Sequence, residues 1–150
     1  MDLEFAIKIG TLISAVAGIL TLFIGIRIYK RQTNTQIFLE YTKRYNEIME
    51  SFPPEARPAR LSLEGKMPDH SEGLSISILR YLNLCSEEYY LCKRGYLSKE
   101  LWEIWEDELK RTLNSPLFVR EWKDLRNEFL SYPEFLEFVD DAHRNDIRKT

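Results

Sequence analysis

The chain has little of what chemistry at a protein site usually needs. Its 150 residues include two histidines, His70 and His143, and two cysteines, Cys85 and Cys92. There is no HExxH or CxxC pair, so the familiar zinc spacings are absent. The cysteines fall seven positions apart on one predicted helix, which sets their Cα atoms roughly 10 Å apart, too far for a disulfide. Both are expected to be buried free thiols, as in a reducing compartment. The histidines fall in a connector and near the tail, where exposed side chains are expected. The six glycines are dispersed and no GKS or GKT follows them, which excludes a phosphate-binding P-loop. GxSxG is missing too. No catalytic residue, metal or cofactor is therefore expected. No stretch alternates apolar and polar residues between Asn-Gly or Asp-Gly turns, so a sheet has no support.

Charge is also short on one side. The formal net charge of −3 hides an acidic C-terminal half, with twelve acidic and six basic residues from Ser98 to Asp141. A nucleic-acid groove has the opposite sign, so direct nucleic-acid binding is not expected.

What the chain does have is Ile9 to Ile26, eighteen residues without a charge. As a helix rising about 1.5 Å per residue it covers roughly 27 Å, close to the thickness of a hydrocarbon core. The spacing predicts one transmembrane helix. Ala15-Val16-Ala17 imitates a signal-peptidase site, but the apolar segment before it is short, and Asp2, Glu4 and Lys8 make a poor leader. Arg27, Lys30 and Arg31 follow the span and Lys8 alone precedes it, which places the C-terminal part in the cytoplasm and the N-terminus outside. Within the span Gly10, Ser14 and Gly18 repeat every four residues, Thr21 and Gly25 extend the stripe, and Thr11 lies beside it. Small residues at this spacing let two helices approach closely, which predicts self-association. Small residues are also common in spans that do not associate.

Nothing breaks the helix from Arg27 to Phe52, and Phe38, Tyr41, Tyr45, Ile48 and Phe52 mark one face. Residues 1–31 are thus the transmembrane segment and 32–52 its cytoplasmic continuation. Pro53-Pro54 ends it, and 53–73, with Pro58, Gly65, Pro68 and Gly73, is a connector. A helical bundle is expected over 74–142 and a polar tail over 143–150. Its first helix presents Leu74, Ile78, Leu82, Cys85, Tyr89 and Cys92 and stops at Gly95. The second, capped by Ser98, turns Leu101, Trp105, Leu109 and Leu113 inward with Trp102 at the edge. The third starts at Ser115-Pro116, presents Val119, Trp122, Leu125 and Phe129, and ends before Pro133. A short last helix carries Phe135, Leu136, Phe138 and Val139. The fold class is all-α.

Glu87-Glu88 is the carboxylate pair of interest. On a helical period Glu88 borders the core face, so it is expected to be partly buried. Two readings stand: a structural carboxylate bonded to a tyrosine or to an arginine such as Arg80, or a carboxylate that binds or gates.

Tyr81-Leu82-Asn83, Glu87-Glu88, Gly95-Tyr96-Leu97, Trp102, Trp105, Ser115-Pro116 and Trp122 together resemble a family of small bacterial proteins with one N-terminal span and a helical cytoplasmic domain. That family implies the architecture and no established activity. The plan of one span before a short helical domain also resembles the small membrane accessory proteins of type VI-B CRISPR systems. That resemblance implies a HEPN-like bundle that assembles into a membrane pore. HEPN ribonucleases carry an arginine, a polar residue, three variable positions and a histidine. Here Arg126 and Asn127 lead to Ser131 where the histidine belongs, so the ribonuclease chemistry lacks a general acid or base.

The chain is accordingly expected to be a non-enzymatic, single-pass protein of a bacterial inner membrane. It would oligomerise and act as a pore-forming or membrane-perturbing effector or accessory in antiviral defence. Its partners would be the bilayer, further copies of itself and a defence-system protein. A membrane-tethered protein-binding module is the alternative. A divergent ribonuclease using Arg126 with His143 or His70 is the second.

Overall fold

The first proline in the chain is Pro53, and the first helix runs nearly to it. In the computed structural model, which describes residues 3–60 and 67–147, α1 spans Leu3–Ser51 as one helix of 49 residues. The middle of the expected connector, with Gly65, lies outside the described residues, as do Met1, Asp2 and the last three residues of the expected tail. No strand occurs among the described residues. The chain divides into two units, one ending at Ile37 and one beginning at Phe38.

The first unit contains the apolar part of α1 and the basic and polar stretch that follows it. The helix is long and apolar enough to cross a membrane, with a mean hydropathy of 2.3 over its most apolar window, none of which is buried. Leu12, Ile13, Leu20, Phe23 and Ile24 are all exposed. The hydroxyls of the small-residue stripe are already satisfied. Thr11, Ser14 and Thr21 donate to the carbonyls of Ile7, Gly10 and Ala17 at 2.9, 2.9 and 2.8 Å. Their protons are therefore not free to bond a neighbouring helix.

The second unit is a helical bundle. After the short α2 (Ala56–Ala59) come α3 (Glu72–Lys93), α4 (Lys99–Leu113), α5 (Pro116–Leu125), a 3₁₀ turn (Arg126–Phe129) and α6 (Pro133–Ile147). Local chemistry sets these boundaries. Ser71 and Ser98 accept from the amides of Leu74 and Leu101, capping α3 and α4. Ser115 precedes Pro116 at the first turn of α5. At the end of α3 the amide of Gly95 donates to the Cys92 carbonyl and that of Tyr96 to the Leu91 carbonyl, both at 2.9 Å. This double closure requires a left-handed residue, and Gly95 has φ +71°.

α3 is the centre. Leu74, Ser77, Ile78, Tyr81, Leu82, Leu84, Cys85, Ser86 and Glu88 are buried, far more of its circumference than a single apolar stripe. Tyr81 meets Tyr45 of α1 on one side and the edge of Phe118 of α5 on another. Tyr89 packs on Trp102 of α4 and on Phe135 and Phe138 of α6. Ser77 donates to the Ser51 carbonyl at 3.0 Å, which ties the end of α1 to α3. Phe52, Phe118, Phe129 and Phe135 are almost fully enclosed, each contributing on the order of 2–3 kcal/mol by its removal from water.

Three details depart from the periodicity. Trp102 is buried and Trp105 half-buried, the reverse of their expected placing, because Trp102 faces Tyr89 and Phe138. α5 buries Leu117, Phe118, Glu121 and Trp122 while Val119 and Leu125 are half-buried, a stripe rotated by about one position. The third bundle helix stops as an α-helix at Leu125 and tightens into the 3₁₀ turn, whereas α6 continues beyond Ala142, so that His143 is helical.

Gly95→Ala is expected to lower stability by about 1 kcal/mol, because alanine must adopt the left-handed conformation. Gly73→Ala, at a right-handed position with open space around a would-be Cβ, is expected to be neutral or slightly stabilising. Urea unfolding followed by tryptophan fluorescence in a non-ionic detergent checks both, and equal effects of the two substitutions would contradict the assignment.

Candidate functional site

The spacing of α3 places Tyr81, Cys85 and Glu88 along one line of the helix, four and three residues apart. All three are buried, and Glu88 is 8% exposed. Burial pushes the Tyr81 phenol and the Cys85 thiol well above their ordinary values. Burial likewise pushes the Glu88 carboxyl up to about 8, with Arg44 pulling it down and Glu87 adding to the rise. Among the described residues Glu88 has no hydrogen-bond partner. Its oxygens are not among the buried side-chain atoms cut off from solvent without a partner, so the carboxyl keeps its access to water on the cavity side.

The structural pairing expected for Glu88 belongs instead to its neighbour. Arg44 of α1 grips both oxygens of Glu87 at 2.6 and 3.0 Å, and the Tyr41 hydroxyl donates to the same carboxylate at 3.3 Å. The hydrogen bonds from Arg44 hold Glu87 below the usual carboxylate range. Burial, then the negative charge of Glu87, pushes the Tyr41 hydroxyl up to about 12. Arg80 is exposed and not part of the arrangement.

Glu88 lines a cavity of about 380 Å³ bounded by the last turns of α1, by α3 and by α4. Tyr41, Tyr45, Tyr81 and Trp105 form its aromatic walls, and Glu108 is its second acid. The walls are braced from outside. Phe38 stacks on Trp105 at 6.2 Å with the rings 10° apart, and Tyr41 meets Trp105 at 5.6 Å. Arg60 donates to the Tyr45 hydroxyl and lies 3.7 Å from Glu108, so the second acid is held at the rim by an ion pair. The size is that of small-molecule sites, as is the mixture of apolar walls with a few convergent polar groups.

Comparison with family models, curated proteins and solved structures finds no match for this chain. The site is therefore read from its own geometry.

The other residues singled out by sequence are not drawn together here. Gly10, Thr11, Ser14, Gly18, Thr21 and Gly25 lie in the first unit, and a would-be Cβ on each of the three glycines meets nothing within 4 Å. Arg126 and Asn127 fall on the 3₁₀ turn, and Ser131 is exposed beyond it. Arg126 bonds Asp140 at 2.7 Å, and the Trp122 indole donates to the same carboxylate at 3.0 Å. His143 is half-buried, not an exposed tail residue. Its Nε2 sits 3.0 Å from the Leu113 carbonyl, and burial holds the imidazole below its ordinary value. His70 is exposed as expected, with Nδ1 3.2 Å from Glu121. Among the described residues no group of three or more His, Cys, Asp or Glu is placed to hold a metal ion.

Glu121 escaped the sequence reading. It is 1% exposed, and Ser75 and Arg120 donate to it at 2.7 and 2.8 Å. Burial opposes its ionisation, but the hydrogen bonds from Ser75, His70 and Arg120 hold it below the ordinary carboxylate value. Arg120 also donates to the Pro68 carbonyl, so this cluster ties the connector to α3 and α5. Its signal was the position of Glu121 three residues after Phe118 and one before Trp122, inside the apolar face. Glu121 is thus a carboxylate satisfied by protein donors, whereas Glu88 faces a cavity without one.

The raised Glu88 value fixes a sign for stability. Between 4.5 and about 8 the folded chain keeps a proton that the unfolded chain releases, so stability from this group falls as pH rises through that window and is level above it. Glu88→Gln removes the fall. The variant is expected to match the parent near pH 5 and to exceed it by about 2–5 kcal/mol near pH 9. Urea unfolding at intervals across that range measures the difference, and parallel profiles for the two proteins would contradict it.

Proposed function

We propose that the chain is a single-pass membrane protein whose helical bundle is a tethered binding module, with its ligand held in the cavity at Glu88. The observation that carries this reading is the buried, unpartnered carboxyl lining an aromatic cavity. The apolar helix α1 supplies the anchor, and the basic residues Arg27, Lys30 and Arg31 favour the bundle on the cytoplasmic side of a bacterial inner membrane. The bundle would then report the presence of a small molecule to whatever it contacts at the membrane.

A second reading is supported by the first unit. Gly10, Gly18 and Gly25 serve no packing purpose within the chain, and such positions admit close approach of another helix. On this reading copies of the chain associate through their spans and form or perturb a pore, with a defence-system partner, as the resemblance to type VI-B accessory proteins implies. The HEPN-type ribonuclease reading has less support, since Arg126 is committed to Asp140 and His143 to a backbone carbonyl.

One set of measurements separates the two. The binding-module reading expects the full-length protein to remain with membranes through alkaline carbonate extraction. It also expects a thermal-shift screen of small molecules to give hits that disappear in Ile104→Trp, which blocks the cavity at an exposed lining position. Proteoliposomes would retain a trapped dye. Dye release by the parent, lost in Gly18→Leu and Gly25→Leu, would favour the pore instead, and a screen without any such hit would contradict the binding module.

A further inference from the structure

We propose that the cavity at Glu88 is a receptor for a small organic cation, a protonated amine or a quaternary ammonium group. The inference rests on the binding-module reading and names its ligand class. Six lining groups define the chemistry: the rings of Tyr41, Tyr45, Tyr81 and Trp105 and the carboxyl groups of Glu88 and Glu108. None of the side chains lining the cavity is cationic. Glu108 is already paired with Arg60 and Arg111, so Glu88 is the lining acid with no ion pair; with no basic side chain on the walls an anion finds no counter-charge there, and a cation seated beside Glu88 favours its ionised form and releases its proton.

Aromatic faces attract a cation through their quadrupole, and desolvation strengthens the attraction. Two of these rings already do so. The Arg44 guanidinium lies 5.1 Å from the centre of Tyr41 and that of Arg60 lies 5.4 Å from the centre of Tyr45. Those two arginines also have carboxylate partners, Glu87 and Glu108 respectively. Glu88 is the acid left without one. It is more than nine-tenths buried, has no hydrogen bond among the described residues, and lines the cavity. A cation placed among the four rings would supply the charge that each neighbouring acid already has. A volume of about 380 Å³ suits a ligand of the size of choline or an aromatic amine rather than a bare metal ion, which the rings could not ligate.

The cation could be a free solute or the ammonium headgroup of a lipid, and the chemistry of recognition is the same. The test uses the full-length protein in a non-ionic detergent, titrated with choline, with phenethylammonium and with 3,3-dimethylbutan-1-ol, the uncharged counterpart of choline. Binding is read from the fluorescence of Trp105, isolated by changing Trp102 and Trp122 to phenylalanine. The expected result is saturable binding of at least one cation, at least tenfold weaker for the uncharged counterpart and at least tenfold weaker in Glu88→Gln. Ile104→Trp, at an exposed position, blocks entry without touching the core, and its own loss of binding is read by calorimetry. A repeat in nanodiscs separates the sources: suppression of the choline response by phosphatidylcholine but not by phosphatidylglycerol identifies a headgroup, and an unchanged response identifies a free solute. Equal binding of choline and its uncharged counterpart, both lost in Ile104→Trp, would overturn the cation and leave the binding module standing. No saturable binding of any of the three probes by the parent would overturn the cation proposal; the small-molecule screen decides separately whether the module survives.

Discussion

The bundle depends on the enclosure of α3. A helix buried over so much of its surface cannot confine its polar residues to a solvent face, so Ser77, Ser86 and Glu88 are carried inside with Leu74, Ile78 and Leu82. The serines find carbonyls: Ser77 reaches Ser51 and Gly73, and Ser86 reaches Asn83. A carboxyl needs more than a nearby carbonyl, and Glu88 finds no donor. The neighbouring Glu87, one residue along and turned outward, takes Arg44 and Tyr41 for itself. Two adjacent carboxylates on a helix point roughly 100° apart, and that angle divides them into an ion-paired brace and a group facing a cavity.

Much of the architecture was legible in the sequence because it follows from local rules. The charge-free run from Ile9 marks the apolar segment by hydropathy, and the prolines at 53 and 54, the serine caps and Gly95 each specify a boundary through local chemistry. The face Tyr41, Tyr45, Ile48 and Phe52 was also readable, since a helix packed on one side shows a clean period. Legibility failed where packing is many-sided. Periodicity picks one stripe per helix, and so it could not foresee that Trp102 rather than Trp105 is enclosed, nor that Glu121 sits inside α5. Glu88 was visible as a bordering carboxylate, but its lack of a partner depends on α1 and α4, which are distant in sequence. The cavity is invisible to sequence for the same reason.

The apolar segment and the bundle make different demands on one helix. Over the charge-free stretch from Ile9 to Ile26 α1 offers an apolar surface with its hydroxyls turned onto its own backbone, and from Phe38 it gives aromatic side chains to the bundle. Tyr41, Arg44 and Tyr45 belong to that second part, so the helix that carries the apolar segment also carries one wall of the cavity and the brace of Glu87.

The central claim is that the largely buried Glu88 carboxyl faces the cavity without a protein partner. Titration of its side-chain carboxyl carbon by NMR, in the full-length protein selectively labelled at glutamate and assigned through Glu88→Gln, tests this without any ligand. The account predicts a midpoint near 8, with Glu87 below the ordinary carboxylate value. A midpoint for Glu88 close to that of an exposed glutamate would contradict it.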